Sequence, residues 1–194
     1  MKQTARALLL VVVACASAQT KDPAIYRVDD HVYRGRQPAN DEFAALRKMG
    51  IRTVLDLRGG SIHAPRERAL VEAVGMQYVS IGLSGVFAPT QQQMARILAL
   101  LEDPARAPVF VHCRRGADRS GLVIACYRIA HDHWTNAQAL AEANEQGFSH
   151  LEVLMRRYVR RYTPPPAASG AVDAPASGGP ETKKAAGSRP GGLY

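Results

Sequence analysis

The stretch from Val109 to Gly121 constrains the fold most, because it joins a strand pattern to a helix pattern through a tight, cation-rich loop. Val109 to Val111 is a short apolar run typical of a buried strand, and an amphipathic helix is predicted from about Ser120. The backbone N–H groups of such a loop and the positive end of the following helix dipole converge on one spot. The stretch therefore predicts a site for a tetrahedral oxyanion such as phosphate.

Cys113 and Arg119 are the two residues expected to do chemistry at this site. A thiol at a helix N-terminus among cations has its pKa lowered from about 8.5 toward roughly 3.5–7.5, so Cys113 is expected to be a thiolate that attacks phosphorus. The planar guanidinium of Arg119 can grip two phosphate oxygens at once. His112 is expected to hydrogen-bond the loop backbone, and the Ser120 hydroxyl to bond the thiolate and help the sulfur leave.

This segment resembles the His-Cys-X5-Arg-Ser/Thr-Gly signature of the cysteine-dependent phosphatases, the superfamily of protein tyrosine and dual-specificity phosphatases. Every fixed position of the signature is present between His112 and Gly121. The resemblance implies hydrolysis of phosphomonoesters through a phosphocysteine on Cys113, without a cofactor. The loop residues expected to surround the phosphate are Arg114, Arg115, Gly116, Ala117 and Ser120.

Strand and helix patterns alternate from residue 25 to residue 162. Strands are predicted at Tyr26–Val28, His31–Arg34, Ile51–Leu57, Gln77–Ile81 and Val109–Val111. Helices are predicted from Asn40 to Gly50, at Glu67–Val74, after a Thr90/Gln93 capping box, and at about Ser120–Asp132, Asn136–Glu145 and Leu151–Tyr162. This alternation predicts an α/β fold with a mostly parallel central sheet flanked by helices. Ligands of such sheets bind at the carboxyl ends of the strands, where Cys113 would lie.

The resemblance extends beyond the signature, to roughly residues 25–162. His31–Pro38 and Thr53–Arg58 look like the corresponding segments of the atypical dual-specificity phosphatases of plants and fungi and of small bacterial phosphatases. The resemblance implies a dual-specificity-phosphatase-like fold. Members of these groups hydrolyse phosphotyrosine-type substrates, and some prefer inositol phosphates or phosphoinositides. A phosphorylated protein, a phosphoinositide or an inositol phosphate is therefore the expected substrate.

The general acid is where the chain departs from this family, which usually carries an Asp on a mobile loop well before the cysteine. Here that region, Gly82 to Pro89, contains no carboxylate, and Asp103 is expected on the far side of the fold. Asp118, directly before Arg119, is then the expected proton donor. Two alternatives stay open: Asp118 braces the loop, or the leaving group is acidic enough to need no strong acid.

Further basic residues each have two interpretations. Arg114 and Arg115 are either solvated surface charges or contacts for a second phosphate of the substrate, and Arg34 and Arg36 would line the same mouth. On the last helix, the residues predicted to pack on one face are Leu151, Leu154, Met155, Tyr158 and Tyr162. The opposite face, which is either solvated or in contact with an anionic membrane, holds Arg156, Arg157, Arg160 and Arg161.

The two ends of the chain are expected to lie outside the phosphatase domain. Lys2 and Arg6, an apolar run and the small residues Ala16 and Ala18 predict a signal peptide over residues 1–18, so the protein is expected to be exported, to the periplasm or the medium. Val12–Cys15 resembles a bacterial lipobox, which leaves a lipoprotein at Cys15 as an alternative. Residues 19–24 are a predicted linker, and the Pro/Ala/Gly-rich residues 163–194 a predicted disordered tail.

The composition of the chain limits the classes of ligand that it is expected to bind. The net charge of +8 at pH 7 favours anionic ligands, but the aromatic-interleaved basic stripe of a nucleic-acid binder is missing. Cys126 is expected to be a buried helix residue and Trp134 a core residue. No metal-ligand spacing links His63, His131, His133 and His150, so no metal is expected. The protein is expected to be a monomer. Two other functions stay open: a non-catalytic phosphate-binding module, and a rhodanese-like sulfurtransferase, which also holds a cysteine in an anion loop.

Overall fold

The computed structural model describes residues 25–59 and 64–165. The predicted signal peptide, the linker and nearly all of the predicted tail lie outside the described residues. Five strands form one sheet in the order β1-β2-β5-β3-β4, and β1 alone is antiparallel to its neighbour. The strands are β1 Ile25–Arg27, β2 Val32–Gly35, β3 Thr53–Asp56, β4 Gln77–Ser80 and β5 Val109–His112. The predicted mostly parallel α/β sheet is confirmed.

The four parallel strands end in register. Gly35 of β2 and Asp56 of β3 both pair with His112, the last residue of β5, and Asp56 also pairs with Ser80 of β4. β5 lies at the centre of the sheet and all four of its residues are buried. The loop that begins at Cys113 therefore leaves the middle of the carboxyl edge, between the loops that follow β2 and β3.

Helices cover both faces of the sheet. They are α1 Glu42–Lys48, α2 Ala64–Ala73, α3 Gln91–Leu101, α4 Asp118–Ala130, α5 Asn136–Glu145 and α6 Val153–Arg161. Successive side chains of β5 point to opposite faces, so Val109 and Val111 join a large core with the last four helices. Phe110 joins a smaller core with residues of α1 and α2. α4 was expected to be amphipathic, but it is buried on nearly all sides because it lies between the sheet and its neighbouring helices.

Several predicted boundaries shift by a few residues. α1 begins at Glu42 after Asp41, so the prediction that Asn40 caps it was wrong, and the Glu42 carboxylate itself accepts the Ala39 N–H at 2.6 Å. α2 and α4 begin earlier than predicted, at Ala64 and Asp118, and α6 is shorter at both ends. The capping box of Thr90 and Gln93 at the start of α3 is confirmed.

The predicted faces of α6 need correction. Met155 and Val159 are buried, but Leu151 and Leu154 are exposed. Arg156, predicted on the solvated face, is buried, because its guanidinium bonds the Asn144 side chain at 2.5 Å and lies over the ring of Phe148. Trp134 is only half-buried, packed against the core. Among the described residues, no helix has the length and apolar content to span a membrane.

Candidate active site

Cys113 lies at the floor of a loop that folds back over its side chain. The thiol is 1 % exposed and follows directly after the central strand β5. The backbone N–H of Gly116 donates to Cys113 Sγ at 3.3 Å, and the Ser120 hydroxyl lies 3.6 Å from the same sulfur. α4 begins at Asp118 behind the loop, so its positive dipole end faces the sulfur. The structure thus brings together the cysteine, the loop and the helix N-terminus as predicted.

The surroundings of Cys113 favour the thiolate. Burial alone would raise the pKa of this thiol, but hydrogen bonds from Ser120 and Gly116 and the charge of Arg119 more than offset it. The pKa of Cys113 is therefore below its ordinary value. A thiolate is the nucleophilic form of cysteine, so this lowered pKa favours the form of Cys113 that attacks an electrophilic phosphorus.

The loop takes its shape from a glycine and a buried arginine. Gly116 has a φ of +77°, and a Cβ there would lie 2.4 Å from the backbone of Gly35. Arg34 lies under the loop, where its Nη2 donates to the carbonyls of Gly116 at 2.7 Å and Ala117 at 3.3 Å. Because the C=O and N–H of a trans peptide point in opposite directions, holding these carbonyls from behind leaves N–H groups facing the anion site.

The expected role of Arg34 at the mouth was wrong, because its side chain is buried below the loop, where it bonds the carbonyl of Gly116. The Arg36 guanidinium is bonded to the Glu42 carboxylate at 2.9 and 2.5 Å, and its place at the mouth stays a prediction. Arg114 and Arg115, by contrast, are exposed at the rim of the loop, and Arg119 is half-buried at the start of α4.

Asp118 is held by contacts on both carboxylate oxygens. Oδ2 accepts from Arg115 Nη2 at 2.5 Å, and Oδ1 accepts the backbone N–H of Ser149 at 3.1 Å. These contacts tie the phosphate loop to the connection between α5 and α6. An acid must present a proton toward the leaving oxygen, whereas both oxygens here accept from protein donors. The geometry thus favours the bracing role that the sequence left open.

The loop after β4 faces the same edge of the sheet but carries no acid. Gly82, near its start, packs backbone to backbone on Gly59, where a Cβ would lie 2.2 Å from the Gly82 Cα. Ser84 caps the following turn by accepting the N–H groups of Val86 and Phe87, whose side chains are exposed. Asp103 pairs with Arg106, just before β5, at the opposite edge of the sheet as expected.

Behind the loop, sequence reasoning missed a cluster of buried charged side chains. His112 Nε2 lies 2.7 Å from Glu67 Oε1, and the Arg58 guanidinium bonds both Asp56 and Glu67. Potential metal-ligand atoms of Asp56, Glu67 and His112 lie within 4.8 Å of one another, but the Arg58 cation already occupies both carboxylates. The one signal in the sequence was Asp56-Leu57-Arg58, acidic and basic residues at the end of a buried strand.

A cysteine with a lowered pKa at the start of a loop that leads into a helix, with the charge of Arg119 acting on it, is the arrangement of a cysteine-dependent phosphatase domain. A family model described as the DSP-PTPase phosphatase fused to NAD+ kinase matches residues 7–161. The chain belongs to this phosphatase family.

Relatives with assigned names include the dual specificity protein phosphatase TpbA of Pseudomonas aeruginosa strain UCBPP-PA14, 29% identical over 135 residues. That match covers 69% of this chain and 60% of TpbA. The inositol diphosphatase DSP2 of Oryza sativa subsp. japonica is 30% identical over 106 residues, covering 52% of this chain and 51% of the relative. The chain thus spans only about half to three fifths of the length of these relatives.

Solved structures show the same fold. The core catalytic domain of the PP-IP phosphatase SIW14 from S. cerevisiae, in complex with citrate, aligns with a TM-score of 0.64 at 22% identity, over 72% of this chain and 85% of that chain. A cysteine-to-serine variant of P. aeruginosa TpbA in complex with phosphotyrosine aligns with a TM-score of 0.63 at 25% identity, over 77% and 92% of the two chains.

Proposed function

We propose that this protein hydrolyses phosphomonoesters through a phosphocysteine on Cys113. The observation that carries the proposal is the Cys113 sulfur itself, held by the Gly116 N–H and the Ser120 hydroxyl with its pKa lowered. Sulfur attacks phosphorus, the P–O bond of the ester breaks, and the leaving oxygen departs with the bonding electron pair as an anion that takes its proton from solvent. Water then attacks the phosphocysteine, which releases phosphate and restores the thiolate. Arg119 would hold the equatorial oxygens in both steps.

Cys113→Ser tests this mechanism. The variant keeps the loop but replaces the thiolate by a poorly nucleophilic hydroxyl, so hydrolysis of nitrophenyl phosphate should be lost while inorganic phosphate still binds in calorimetry. Cys126→Ala, in the buried middle of α4, is the matched control and should keep turnover. Wild-type protein that binds phosphate without turnover would instead indicate a binding module, and sulfur transfer from thiosulfate to cyanide a rhodanese-like enzyme.

We propose further that the substrates have acidic leaving groups. No carboxylate lies between Gly82 and Pro89, and both oxygens of Asp118 are engaged by the protein. Phenols, as in phosphotyrosine, and phosphate groups, as in a diphosphate, leave without a strong proton donor, whereas alkyl alcohols do not. A variant of TpbA was solved in complex with phosphotyrosine, and DSP2 is named an inositol diphosphatase, which supports both classes.

A substrate panel separates these classes. Phosphotyrosine peptides, phosphoinositides, inositol phosphates and inositol diphosphates should be compared by kcat/KM. Arg114 and Arg115 are both exposed at the rim of the loop, and Arg115 is paired with Asp118. Arg114→Ala should therefore raise KM for an inositol diphosphate, which carries a second phosphate, and leave KM for a phosphotyrosine peptide nearly unchanged. Equal effects on both substrates would assign Arg114 no role in choosing between them.

We propose a peripheral membrane contact through the outer surface of α6. Three exposed apolar residues, Leu151, Val153 and Leu154, precede exposed Arg157, Arg160 and Arg161. Apolar side chains with arginines beside them suit the surface of an anionic bilayer. The protein should sediment with vesicles that contain phosphatidylserine and not with phosphatidylcholine vesicles. Replacing Leu151 and Leu154 by Asp should abolish sedimentation without altering hydrolysis of a soluble aryl phosphate; binding unaffected by this change would contradict the proposed contact.

Export stays a proposal that rests on residues 1–18. Expression of the full chain in a bacterium, followed by fractionation and N-terminal peptide mass spectrometry, tests it. A mature N-terminus at Gln19 supports signal-peptide cleavage, and a lipid-modified Cys15 supports the lipoprotein alternative. Intact protein confined to the cytoplasm would contradict export.

A further inference from the structure

Four charged or ionisable side chains are buried directly behind the catalytic strand, and none of them takes part in the mechanism above. Asp56 and His112 are fully buried, Glu67 is 4 % exposed, and the Arg58 side chain is 9 % exposed. They come from the ends of β3 and β5 and from α2. Buried ions are costly unless they are paired, so such a cluster needs a balanced set of charges and protons.

The hydrogen bonds of the cluster leave one carboxylate oxygen for His112. Asp56 Oδ1 accepts from Arg58 Nε at 2.9 Å, and Asp56 Oδ2 accepts from Arg58 Nη2 and from the Tyr78 hydroxyl, each at 2.8 Å. Glu67 Oε2 accepts from Arg58 Nη2 and from the side-chain amide of Gln37. Glu67 Oε1 and His112 Nε2 form an ion pair 2.7 Å apart, and neither atom has a hydrogen-bond partner among the described residues.

Both ring nitrogens of His112 face oxygen atoms that can only accept. Nε2 faces the Glu67 carboxylate, and Nδ1 lies 3.3 Å from the carbonyl oxygen of Cys113. A neutral imidazole carries one N–H, so it could satisfy only one of these acceptors, whereas an imidazolium satisfies both. With His112 as a cation, the cluster balances two carboxylates against one guanidinium and one imidazolium. With a neutral His112, a net negative charge would be buried next to a thiolate.

We infer that Glu67 is a positioning residue for the nucleophile: it holds His112 as an imidazolium beside Cys113, and that cation stabilises the thiolate. The inference rests on the proposed function, in which Cys113 is the nucleophile. The ring is also fixed from the side, because Phe110 stacks on it with centroids 5.9 Å apart. Glu67 reaches no reacting atom, so its effect passes entirely through His112.

Other charged groups also act on the pKa of Cys113, so Glu67 and His112 account for only part of its lowering. Arg34 from β2 and Arg119 from α4 are cations near Cys113, and Asp118 is the anion at the start of α4. Asp56 and Arg58 follow from β3, and Tyr78 of β4 reaches the cluster through Asp56. Removing the imidazolium therefore weakens the thiolate without abolishing it.

The experiment measures the thiolate directly. Iodoacetamide alkylation of Cys113, followed by peptide mass mapping across a pH series, gives the midpoint at which the thiol ionises. Glu67→Gln keeps the shape of the side chain but removes its charge, so the midpoint should rise by about one pH unit, the lower end of the effect of a nearby opposite charge. Tyr78→Phe, which removes one hydrogen bond from the same cluster but does not touch His112, should leave the midpoint unchanged.

Two results would overturn the inference. One is an alkylation midpoint for Glu67→Gln equal to that of the wild type in a variant whose melting curve shows a folded protein. The other is nitrogen NMR of the wild-type protein with a His112 ring that carries a single N–H at neutral pH; this measurement needs no variant and decides the matter even where Glu67→Gln does not fold. Neither readout requires turnover, so a failure of the proposed phosphatase activity remains distinguishable from a failure of this inference.

Discussion

The loops that follow β5 and β4 at the carboxyl edge of the sheet differ in the number of contacts that hold them in place. The loop after β5 is fixed from several sides: Arg34 holds its carbonyls, Asp118 ties it to the α5–α6 connection, and Gly116 presses on the backbone of Gly35. The loop after β4 is held near its start, where Gly82 packs on Gly59, and by the Ser84 hydroxyl, which accepts the N–H groups of Val86 and Phe87. Its middle offers two exposed apolar side chains and no titratable group.

This difference separates the two tasks of phosphoryl transfer. Binding the phosphoryl group and forming the thiolate need fixed donors, and the β5 loop supplies them. Protonating the leaving oxygen needs an acid, usually worth about 10²–10⁴-fold, and the β4 loop has none. A site built in this way should be fast on leaving groups that are already acidic and slow on alkyl esters. The predictions below test each half of this contrast.

Among substitutions that keep Cys113, the largest loss is expected for Arg119→Lys. A point charge cannot reproduce the two parallel contacts of a guanidinium, so kcat/KM should fall by about 10²–10³-fold on aryl and alkyl phosphates alike. Arg52→Lys, an exposed arginine at the amino edge of the sheet, is the matched control and should keep wild-type kinetics. Near-normal turnover of Arg119→Lys would show that this arginine is not the phosphate clamp.

Gly116→Ala should damage the β5 loop as a whole. A methyl group at a φ of +77° meets the Gly35 backbone at 2.4 Å, so the loop must shift away from its position under the phosphate. We expect kcat/KM to fall by about 10²-fold, with melting temperature lowered as well. Retained activity and stability would mean that the loop is free to move without consequence.

Asp118→Asn tests whether Asp118 braces the loop or donates the proton to the leaving group. If Asp118 braces the loop, its substitution weakens the contacts with Arg115 and Ser149, and turnover should fall by a similar factor on nitrophenyl and on alkyl phosphate. If Asp118 donates the proton, the loss should be about 10²-fold on the alkyl ester and much smaller on the nitrophenyl ester. The geometry predicts similar losses; a strong dependence on the leaving group would restore the acid role.

The smallest effect is expected in the β4 loop itself. A Cβ added at Gly85 meets no atom within 4 Å, so Gly85→Ala should change stability by less than about 0.5 kcal/mol and leave kinetics unaltered. Gly116→Ala and Gly85→Ala make the same chemical change in the two loops, so their effects can be compared directly. A large loss from Gly85→Ala would show that the β4 loop also has a fixed catalytic shape.

Local sequence patterns were enough to predict that the sheet is mostly parallel. They also predicted that Cys113 follows a buried strand and that a loop surrounds it. They are enough because strand, loop and helix here are contiguous, and the loop closes on its own sulfur. Contacts between distant segments were not predictable. Arg34 precedes Gly116 by 82 residues and Glu67 belongs to a helix that shows no apolar or catalytic pattern, so only the fold brings them beneath the loop.

The central claim is that Cys113 carries the phosphoryl group, and trapping it is the most direct measurement. Ser120→Ala removes the hydroxyl that lies 3.6 Å from the sulfur. If this hydroxyl assists the departure of the sulfur, as we expect, the intermediate should accumulate. Rapid quenching of this variant with nitrophenyl phosphate, followed by peptide mass spectrometry, should find one phosphoryl group on Cys113 that forms within the burst of nitrophenol. A burst without any phosphoryl group on Cys113, or one located on another residue, would contradict the account.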